Sequence, residues 1–172
     1  MFIRVKKIKG KEYAYLVSNE WTPNGSRQKV KDYFGAVQKH SQLYEKAALL
    51  GGKFEESLAE LLRNELLNHG FAMSECTNLL TKDGIVVDLV CKNVRNNDRK
   101  PSVSKLNEGF LCDHTLKELF GMKLLENHSQ AGVALANSLV AAGLKVSKDL
   151  FVALFEQFAE RSDANLAANT VS

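Results

Sequence analysis

Two turn signals near the start of the chain constrain its fold more than any other feature. Residues 9–11 (KGK) are typical of a tight turn, because glycine adopts a positive φ without steric cost. Residues 22–26 (TPNGS) place a proline before Asn-Gly, which is a strong reversal signal. The segments that these turns separate are 2–8, 12–21 and 27–35, and they are rich in residues that favour strands. The sequence therefore predicts a three-stranded antiparallel meander.

The hydrophobic period changes to that of helices after the meander. Residues 53–70 (KFEESLAELLRNELLNHG) form the clearest helical pattern, and Gly70 is typical of the position just after a helix. Its apolar face consists of Phe54, Leu58, Leu61, Leu62 and Leu66. Further helices are predicted at 41–50, 114–120, 129–142 and 148–161. Asp113 and Ser147 are the expected N-caps of two of them.

The centre of the chain carries a second β pattern. Residues 84–94 (GIVVDLVCKNV) are short and β-branched, which favours a strand over a helix. A polar loop follows, and residues 102–106 (SVSKL) are predicted to return as its partner strand. The expected architecture is therefore α+β.

Three regions are predicted along the chain. Residues 1–37 form a basic β module, and residues 38–161 form a mainly helical body with the hairpin near 84–106. Residues 162–172 are expected to be a disordered tail.

Positive charge is concentrated in the first region. Residues 1–40 contain nine Lys or Arg and three Asp or Glu, a net charge of +6, whereas the remainder carries −3. In RQKVKDYFG the cations Arg27, Lys29 and Lys31 alternate, so they share one face of a strand. Arg4 and Lys6 likewise share a face of the first strand.

If the two faces coincide, the sheet presents a basic surface suited to phosphate backbones. Its predicted members are Arg4, Lys6, Lys7, Lys9, Lys11, Arg27, Lys29 and Lys31, with Tyr13, Tyr15 or Trp21 stacking or wedging against bases. The alternative is that these cations cover an ordinary solvated sheet face, since Lys is common on wet faces and sheet edges.

A short resemblance bears on this choice. The pattern IR-x-x-K…GK-x-Y-x-YLV…G-x-RQK-x-x-x-YFG resembles the N-terminal segment of some insertion-sequence transposases and of small prokaryotic proteins that share it. The matching positions are Ile3, Arg4, Lys7, Gly10, Lys11, Tyr13, Tyr15, Leu16, Val17, Gly25, Arg27, Gln28, Lys29, Tyr33, Phe34 and Gly35. The resemblance implies a β module associated with DNA-handling proteins. It brings no catalytic site, and it favours DNA over RNA as the ligand.

Residues with catalytic or metal-binding chemistry are scattered. A metal site would need the central carboxylates to converge; these are Asp83, Asp88, Asp98, Glu108 and Asp113. A zinc site would need Cys112 and His114 to join Cys91, Cys76 or His128, but the chain lacks a C-x₂₋₄-C pair. A thiol nucleophile would need Cys112 to pair with His114 or His128. It also lacks a glycine-rich phosphate loop. The sequence therefore predicts no cofactor, no metal and no enzymatic activity.

A protein-binding role is the second hypothesis. The last predicted helix has a wide apolar face, which indicates either core packing or a contact with a second copy or a protein partner. This face consists of Leu150, Phe151, Leu154, Phe155 and Phe158. The sequence shows neither a signal peptide nor an apolar run of the roughly 18 residues that a membrane span requires. We therefore expect a cytoplasmic protein with no membrane association.

Overall fold

The computed structural model describes residues 1–75, 78–123 and 127–169, with side chains described as far as residue 161. The strands are β1 (Phe2–Ile8), β2 (Lys11–Thr22), β3 (Gly25–Lys39), β4 (Ala72–Met73), β5 (Leu79–Lys82), β6 (Ile85–Asp88), β7 (Asn93–Asn96), β8 (Ser102–Leu106) and β9 (Gly109–Leu111). The helices are α1 (Phe54–Asn68), α2 (Asp113–Phe120), α3 (His128–Ala141) and α4 (Lys148–Asn169). The predicted α+β class is confirmed.

The strands form two sheets. The larger sheet has the order β1-β2-β3-β8-β9, and only its β3–β8 pair is parallel among the pairs of the described residues. The smaller sheet, β4-β5-β6-β7, is antiparallel. The N-terminal meander is therefore continuous with strands from the centre of the chain. The predicted boundary near residue 37 falls inside β3.

The two N-terminal reversals occur where the sequence predicts them. Lys9 and Gly10 both have positive φ, 47° and 81°, as the two-residue turn between β1 and β2 requires. Pro23 and Asn24 form the second turn, which Gly25 follows with φ 105°. Both hairpins therefore have loops of two residues.

Gly35 lies opposite Ala14 of β2 and directly precedes the residues of β3 that pair with β8. Its φ is 106°, and a Cβ at this position would collide with the carbonyl oxygen of Pro101. Glycine lets the two backbones approach each other here.

The predicted central hairpin is wrong in its pairing. Residues 84–94 do not form one strand, because Asp88 Oδ1 accepts hydrogen bonds from the backbone N–H groups of Val90 and Cys91 and closes a turn. The chain reverses there, so β6 pairs with β7. β8 instead joins β3 and β9 in the larger sheet.

Helix α1 confirms the clearest helical prediction. Its apolar face is buried in the main core, with Leu58, Leu62 and Leu66 fully inaccessible to solvent. Gly70 follows the helix with φ 80°, and the Phe71 N–H returns to the Leu66 carbonyl. Burial of one continuous stripe holds the helix against both the smaller sheet and α4.

The predicted helix over residues 41–50 is wrong, because this segment has no regular secondary structure. The side chain of Asn68 accepts a hydrogen bond from the Lys46 N–H at 3.0 Å and donates one to the Lys46 carbonyl at 2.9 Å. Asn64 donates a second bond to that carbonyl at 2.7 Å. These hydrogen bonds hold the segment against α1. Leu43 and Leu49 are exposed, so they provide no buried helical face.

The C-terminal helices complete the main core. Cys112 rather than Asp113 precedes α2, because the Asp113 carboxylate accepts bonds from the Val94 N–H and from Arg95. Ser147 precedes α4 as predicted, and its hydroxyl accepts the Leu150 N–H at 3.4 Å. Helix α4 continues to Asn169, into the region predicted to be a tail. Residues 170–172 lie outside the described part of the chain.

Candidate nucleic-acid interface

The pairing register assigns the residues of β1–β3 to the two faces of the sheet. Directly opposite residues of an antiparallel pair share a face. Arg4 lies opposite Tyr15, Lys6 lies opposite Tyr13, and Tyr15 in turn lies opposite Tyr33. We call the side that carries them the open face. It comprises Phe2, Arg4, Lys6, Ile8, Lys11, Tyr13, Tyr15, Val17, Asn19, Trp21, Ser26, Gln28, Val30 and Tyr33.

The opposite side, which we call the packed face, lies against the rest of the protein around Ala14 and Leu16, whereas residues 25–32 of β3 are exposed. Ala14 and Leu16 are buried there, and Ile3 and Val5 pack beside them. The core that they share also contains Phe34, Val37, Val103, Phe110 and Cys112. Burial of this small apolar cluster attaches the meander to the body.

The cations that the sequence grouped together lie on different faces. Arg27 lies opposite Glu20 and Lys29 opposite Ser18, so both belong to the packed face, away from Arg4 and Lys6. Lys31 lies in a register shift of β3, and its ammonium group binds Glu20 on the packed side. Arg4 and Lys6 of β1 and these three cations of β3 therefore lie on opposite faces of the sheet. They do not form a single basic surface.

The remaining predicted cations are also divided. Lys7 lies opposite Glu12 on the packed face, Lys9 lies in the first turn, and Lys11 lies opposite Ile8 on the open face.

The two short turns explain this division. A two-residue loop places even-numbered residues of β1 beside odd-numbered residues of β2, and the second loop places those beside even-numbered residues of β3. Two one-residue shifts in the same direction within the β2–β3 pair add up to two residues, so this relation returns beyond them. Loop length was thus the sequence signal that would have assigned the faces.

Acidic residues neutralise part of the packed face. Glu12, Glu20 and Asp32 all belong to it. Glu20 Oε1 lies 3.1 Å from Lys31 Nζ and 3.4 Å from Lys29 Nζ. The hydrogen bond from Lys31 lowers the pKa of the Glu20 carboxyl.

Glu12 has the same role at the other end of the packed face. Its carboxylate lies 2.9 Å from Lys39 Nζ, and the hydrogen bond from Lys39 lowers the pKa of the Glu12 carboxyl.

The charged residues of the open face are all positive. They are Arg4, Lys6 and Lys11, and no carboxylate of the described residues lies within ion-pair distance of them. Arg4 donates a hydrogen bond to the Gln28 side-chain oxygen, and Lys6 Nζ lies 5.3 Å above the centre of the Tyr15 ring. The open face therefore offers unneutralised positive charge to an anion.

Aromatic side chains share the open face with these cations. The Tyr33 ring centre lies 5.3 Å from that of Tyr15 and 6.4 Å from that of Tyr13. Tyr33 is 48% exposed, Phe2 is 44% exposed and Trp21 is 86% exposed. Tyr13, Tyr15 and Trp21, which the sequence proposed as stacking residues, are thus on the same face as Arg4 and Lys6.

The central carboxylates, which a metal site would have required to converge, lie in turns or bind neighbouring residues. Asp88 closes a turn, Asp113 binds Val94 and Arg95, and Asp83 occupies a turn with φ 49°. Asp98 lies in the turn after β7, and Glu108 lies in the turn between β8 and β9. No three His, Cys, Asp or Glu side chains of the described residues converge to hold a metal ion.

The cysteine and histidine candidates are also dispersed. Cys112 is buried, which raises the pKa of its thiol, and His114 stacks on Phe34 at 5.2 Å and lies 3.3 Å from Glu118. Cys91 is exposed, and a hydrogen bond to Asp88 raises the pKa of its thiol. His128 is the first residue of α3, and Cys76 lies outside the described residues. A raised thiol pKa disfavours the thiolate that nucleophilic attack requires.

The predicted partner helix is largely internal. Leu154 and Phe158 are fully buried, and Leu150, Phe151 and Phe155 are half-buried. Leu154 and Phe158 therefore belong to the protein's own core.

Comparisons of the chain with protein-family models, with curated proteins and with solved structures found no match. The resemblance of residues 1–35 to a transposase segment thus stays a prediction. Within residues 1–75, 78–123 and 127–169, no helix combines the length and apolar character that crossing a membrane requires.

Proposed function

We propose that this protein is a non-catalytic, cytoplasmic nucleic-acid-binding protein, and that the open face of its N-terminal sheet is the binding surface. One observation supports the choice of face above all: Arg4, Lys6 and Lys11 lie among exposed aromatic rings on a side of the sheet that carries no acid. Unpaired cations bind phosphates with release of counterions, and aromatic rings stack on bases. DNA is the favoured ligand because of the resemblance to transposase segments.

The packed face is a poorer surface for a polyanion. Its cations Lys29 and Lys31 share Glu20, and Lys39 is paired with Glu12. A phosphate group would have to displace a carboxylate in each case, and the nearby acids would repel the strand. Because of this contrast, we assign the phosphate contacts to the open-face residues Arg4, Lys6 and Lys11 and no longer to the predicted cations of β3.

A matched pair of double variants tests the proposal. Arg4→Ala/Lys6→Ala and Arg27→Ala/Lys29→Ala each remove two cations from the same sheet, so their net charges are equal. Binding to labelled DNA and RNA is measured by fluorescence anisotropy over a salt series. We expect the first variant to bind at least about tenfold more weakly, with a salt slope shallower by roughly 1.5–2, because two phosphate contacts are lost. The second variant should stay within about threefold of the wild type.

Three other outcomes would contradict the proposal. Equal losses in the two variants would indicate attraction by net charge only. A larger loss in Arg27→Ala/Lys29→Ala would return the binding surface to the packed face. Absence of binding by the wild type to DNA and RNA at low salt would exclude the function.

A protein-binding role through the C-terminal helices is the second candidate. A groove of about 270 Å³ lies between α3 and α4, lined by Ala136, Leu139, Val140, Leu144, Val146, Lys148 and Phe151. Val133 and Val140 are 59% and 56% exposed beside it. These apolar side chains favour a protein contact, although burial of Leu154 and Phe158 removes two of the five side chains that the sequence had assigned to it.

A further inference from the structure

We infer that the open face binds single-stranded nucleic acid, whose unpaired bases stack on Trp21 and Tyr33 while Arg4, Lys6 and Lys11 contact its phosphates. This inference rests on the proposed function and specifies the form of the ligand. Three properties of the open face support it: exposed aromatic rings beside the cations, the width of the sheet and the length of the surface.

The exposure of the aromatic rings is the first argument. Trp21 is 86% exposed and Tyr33 is 48% exposed, although both are large apolar side chains. In a duplex the faces of the bases are already stacked inside the helix, so such rings gain little unless the duplex is opened. An unpaired base offers a free π-face, and its stacking on an aromatic ring is favourable for every base type.

The width of the surface is the second argument. From Tyr13 to Val17 the open face is three strands wide, because both β1 and β3 pair with β2 over this range. Adjacent strands lie about 4.8 Å apart, so the outer backbones are separated by ~10 Å before side chains are added. The major groove of DNA is about 12 Å wide and admits a helix or a two-stranded ribbon. A three-stranded sheet with large side chains is better suited to an open strand than to a groove.

The length of the surface is the third argument. Tyr13 and Trp21 are eight residues apart on β2, a distance of ~26 Å at about 3.3 Å per residue. Asn19 and Gln28 lie opposite each other between the Tyr33 and Trp21 positions. Their amide groups can donate and accept hydrogen bonds at base edges. The surface thus provides a cationic end, a polar middle and an aromatic tip for a single strand.

The chain supplies its own reporter for the experiment. Trp21 is the only tryptophan of the 172 residues, so intrinsic tryptophan fluorescence reports on the open face directly. The full-length protein is titrated at low salt with three probes: a mixed-sequence 16-nucleotide DNA strand, the RNA strand of the same sequence, and the blunt DNA duplex of that sequence. Anisotropy of a label on each probe is recorded in parallel.

We expect quenching of Trp21 emission by both single strands and at least about tenfold weaker binding of the duplex. The salt slope for single strands should be about −2, because three phosphate contacts at roughly −0.7 each are expected. Comparison of the DNA and RNA strands shows which sugar is preferred.

Matched aromatic variants separate stacking from charge. Trp21→Ala should weaken single-strand binding by roughly 5- to 150-fold with an unchanged salt slope, and Trp21→Phe should retain most of the affinity. Tyr44→Ala is the control, because Tyr44 is a 57% exposed tyrosine on the segment that crosses α1. It should leave the affinity unchanged. Circular dichroism of each variant verifies the fold, which the exposed position of Trp21 should preserve.

The results distinguish this inference from the proposed function. Duplex binding as tight as single-strand binding, with Trp21 emission unchanged, would overturn the inference and leave nucleic-acid binding in place. Full affinity for single strands in Trp21→Ala and in Tyr33→Ala would overturn the stacking. No binding of any probe would overturn both proposals.

Discussion

The two faces of the N-terminal sheet have the same backbone and opposite properties. The packed face buries Ala14 and Leu16, and its glutamates hold lysines in ion pairs. The open face exposes Trp21 and Tyr33 and carries cations without acids. The open face carries fewer cations than the packed face, namely Arg4, Lys6 and Lys11. The two faces thus differ not only in the number of Lys and Arg but also in the position of their acids, and this position sets how much positive charge each face leaves unpaired.

The two faces are also expected to contribute differently to the stability of the protein and to its affinity for a ligand. Side chains on the packed face remove apolar area from water, whereas those on the open face, apart from the buried Val17, are exposed or half-buried. Substitutions on the packed face should thus act on the free energy of unfolding, and those on the open face should act on ligand affinity.

The largest expected effect is at Leu16, which is 8% exposed on the packed face. Leu16→Ala should lower the free energy of unfolding by about 2–5 kcal/mol, because it removes buried methyl groups and leaves a cavity. Val30→Ala truncates an aliphatic side chain that is 48% exposed on the open face, and it should change stability by at most about 0.5 kcal/mol. Urea denaturation followed by circular dichroism measures both. Similar losses in the two variants would show that both faces are packed.

A smaller loss is expected at Gly35, which directly precedes the residues of β3 that pair with β8. Gly35→Ala should lower the free energy of unfolding by about 2–4 kcal/mol, since alanine is strained at φ 106° and its Cβ would collide with Pro101. Gly10→Ala is the matched control, because Gly10 has φ 81° with open space around it. Its cost should be about 1 kcal/mol. If the two variants were equally stable, the close approach of β3 to β8 would be incorrect.

The smallest expected effect tests neutralisation directly. Glu20→Gln frees Lys29 and Lys31, so it should strengthen DNA binding at neutral pH and steepen the salt slope by up to about 2. Asp32→Asn is the control: it removes the same charge from the packed face, but Asp32 forms no ion pair with another described residue. A gain of the same size in Asp32→Asn would assign the effect to net charge.

Acidification should act on the wild type in the same direction as Glu20→Gln. The pKa of Glu20 is lowered from its ordinary value of 4.5, so its ion pairs persist above that value and are lost as the pH falls through the folded-state pKa. The salt slope of wild-type DNA binding, measured from pH 7 down to about 4, should steepen only at the acidic end. In Glu20→Gln this contribution should be absent.

Local patterns explain why part of the fold was predictable. The turns at residues 9–10 and 23–24 and the amphipathic stripe of α1 depend on neighbours close in sequence, and these were confirmed. The segment 41–50 contains residues that favour a helix, but Asn64 and Asn68, some twenty residues away, bind its backbone at Lys46 in a form without regular secondary structure. Tertiary hydrogen bonds therefore overrode a helical preference that is weak by itself.

The features of the candidate interface also separate into those that local sequence predicts and those that depend on tertiary contacts. The strands, the excess of positive charge and the alternation of side chains within each strand were predictable, because they follow from composition and local geometry. The lengths of the two turns already imply which cations share a face, but the pairing register, with its one-residue shifts at Lys31 and Phe34, was fixed by the tertiary structure, and one residue of shift would exchange the faces. The tertiary structure also decided which side of the sheet the body covers, since that burial requires contacts between residues 14–16 and residues 103–112, far apart in the chain.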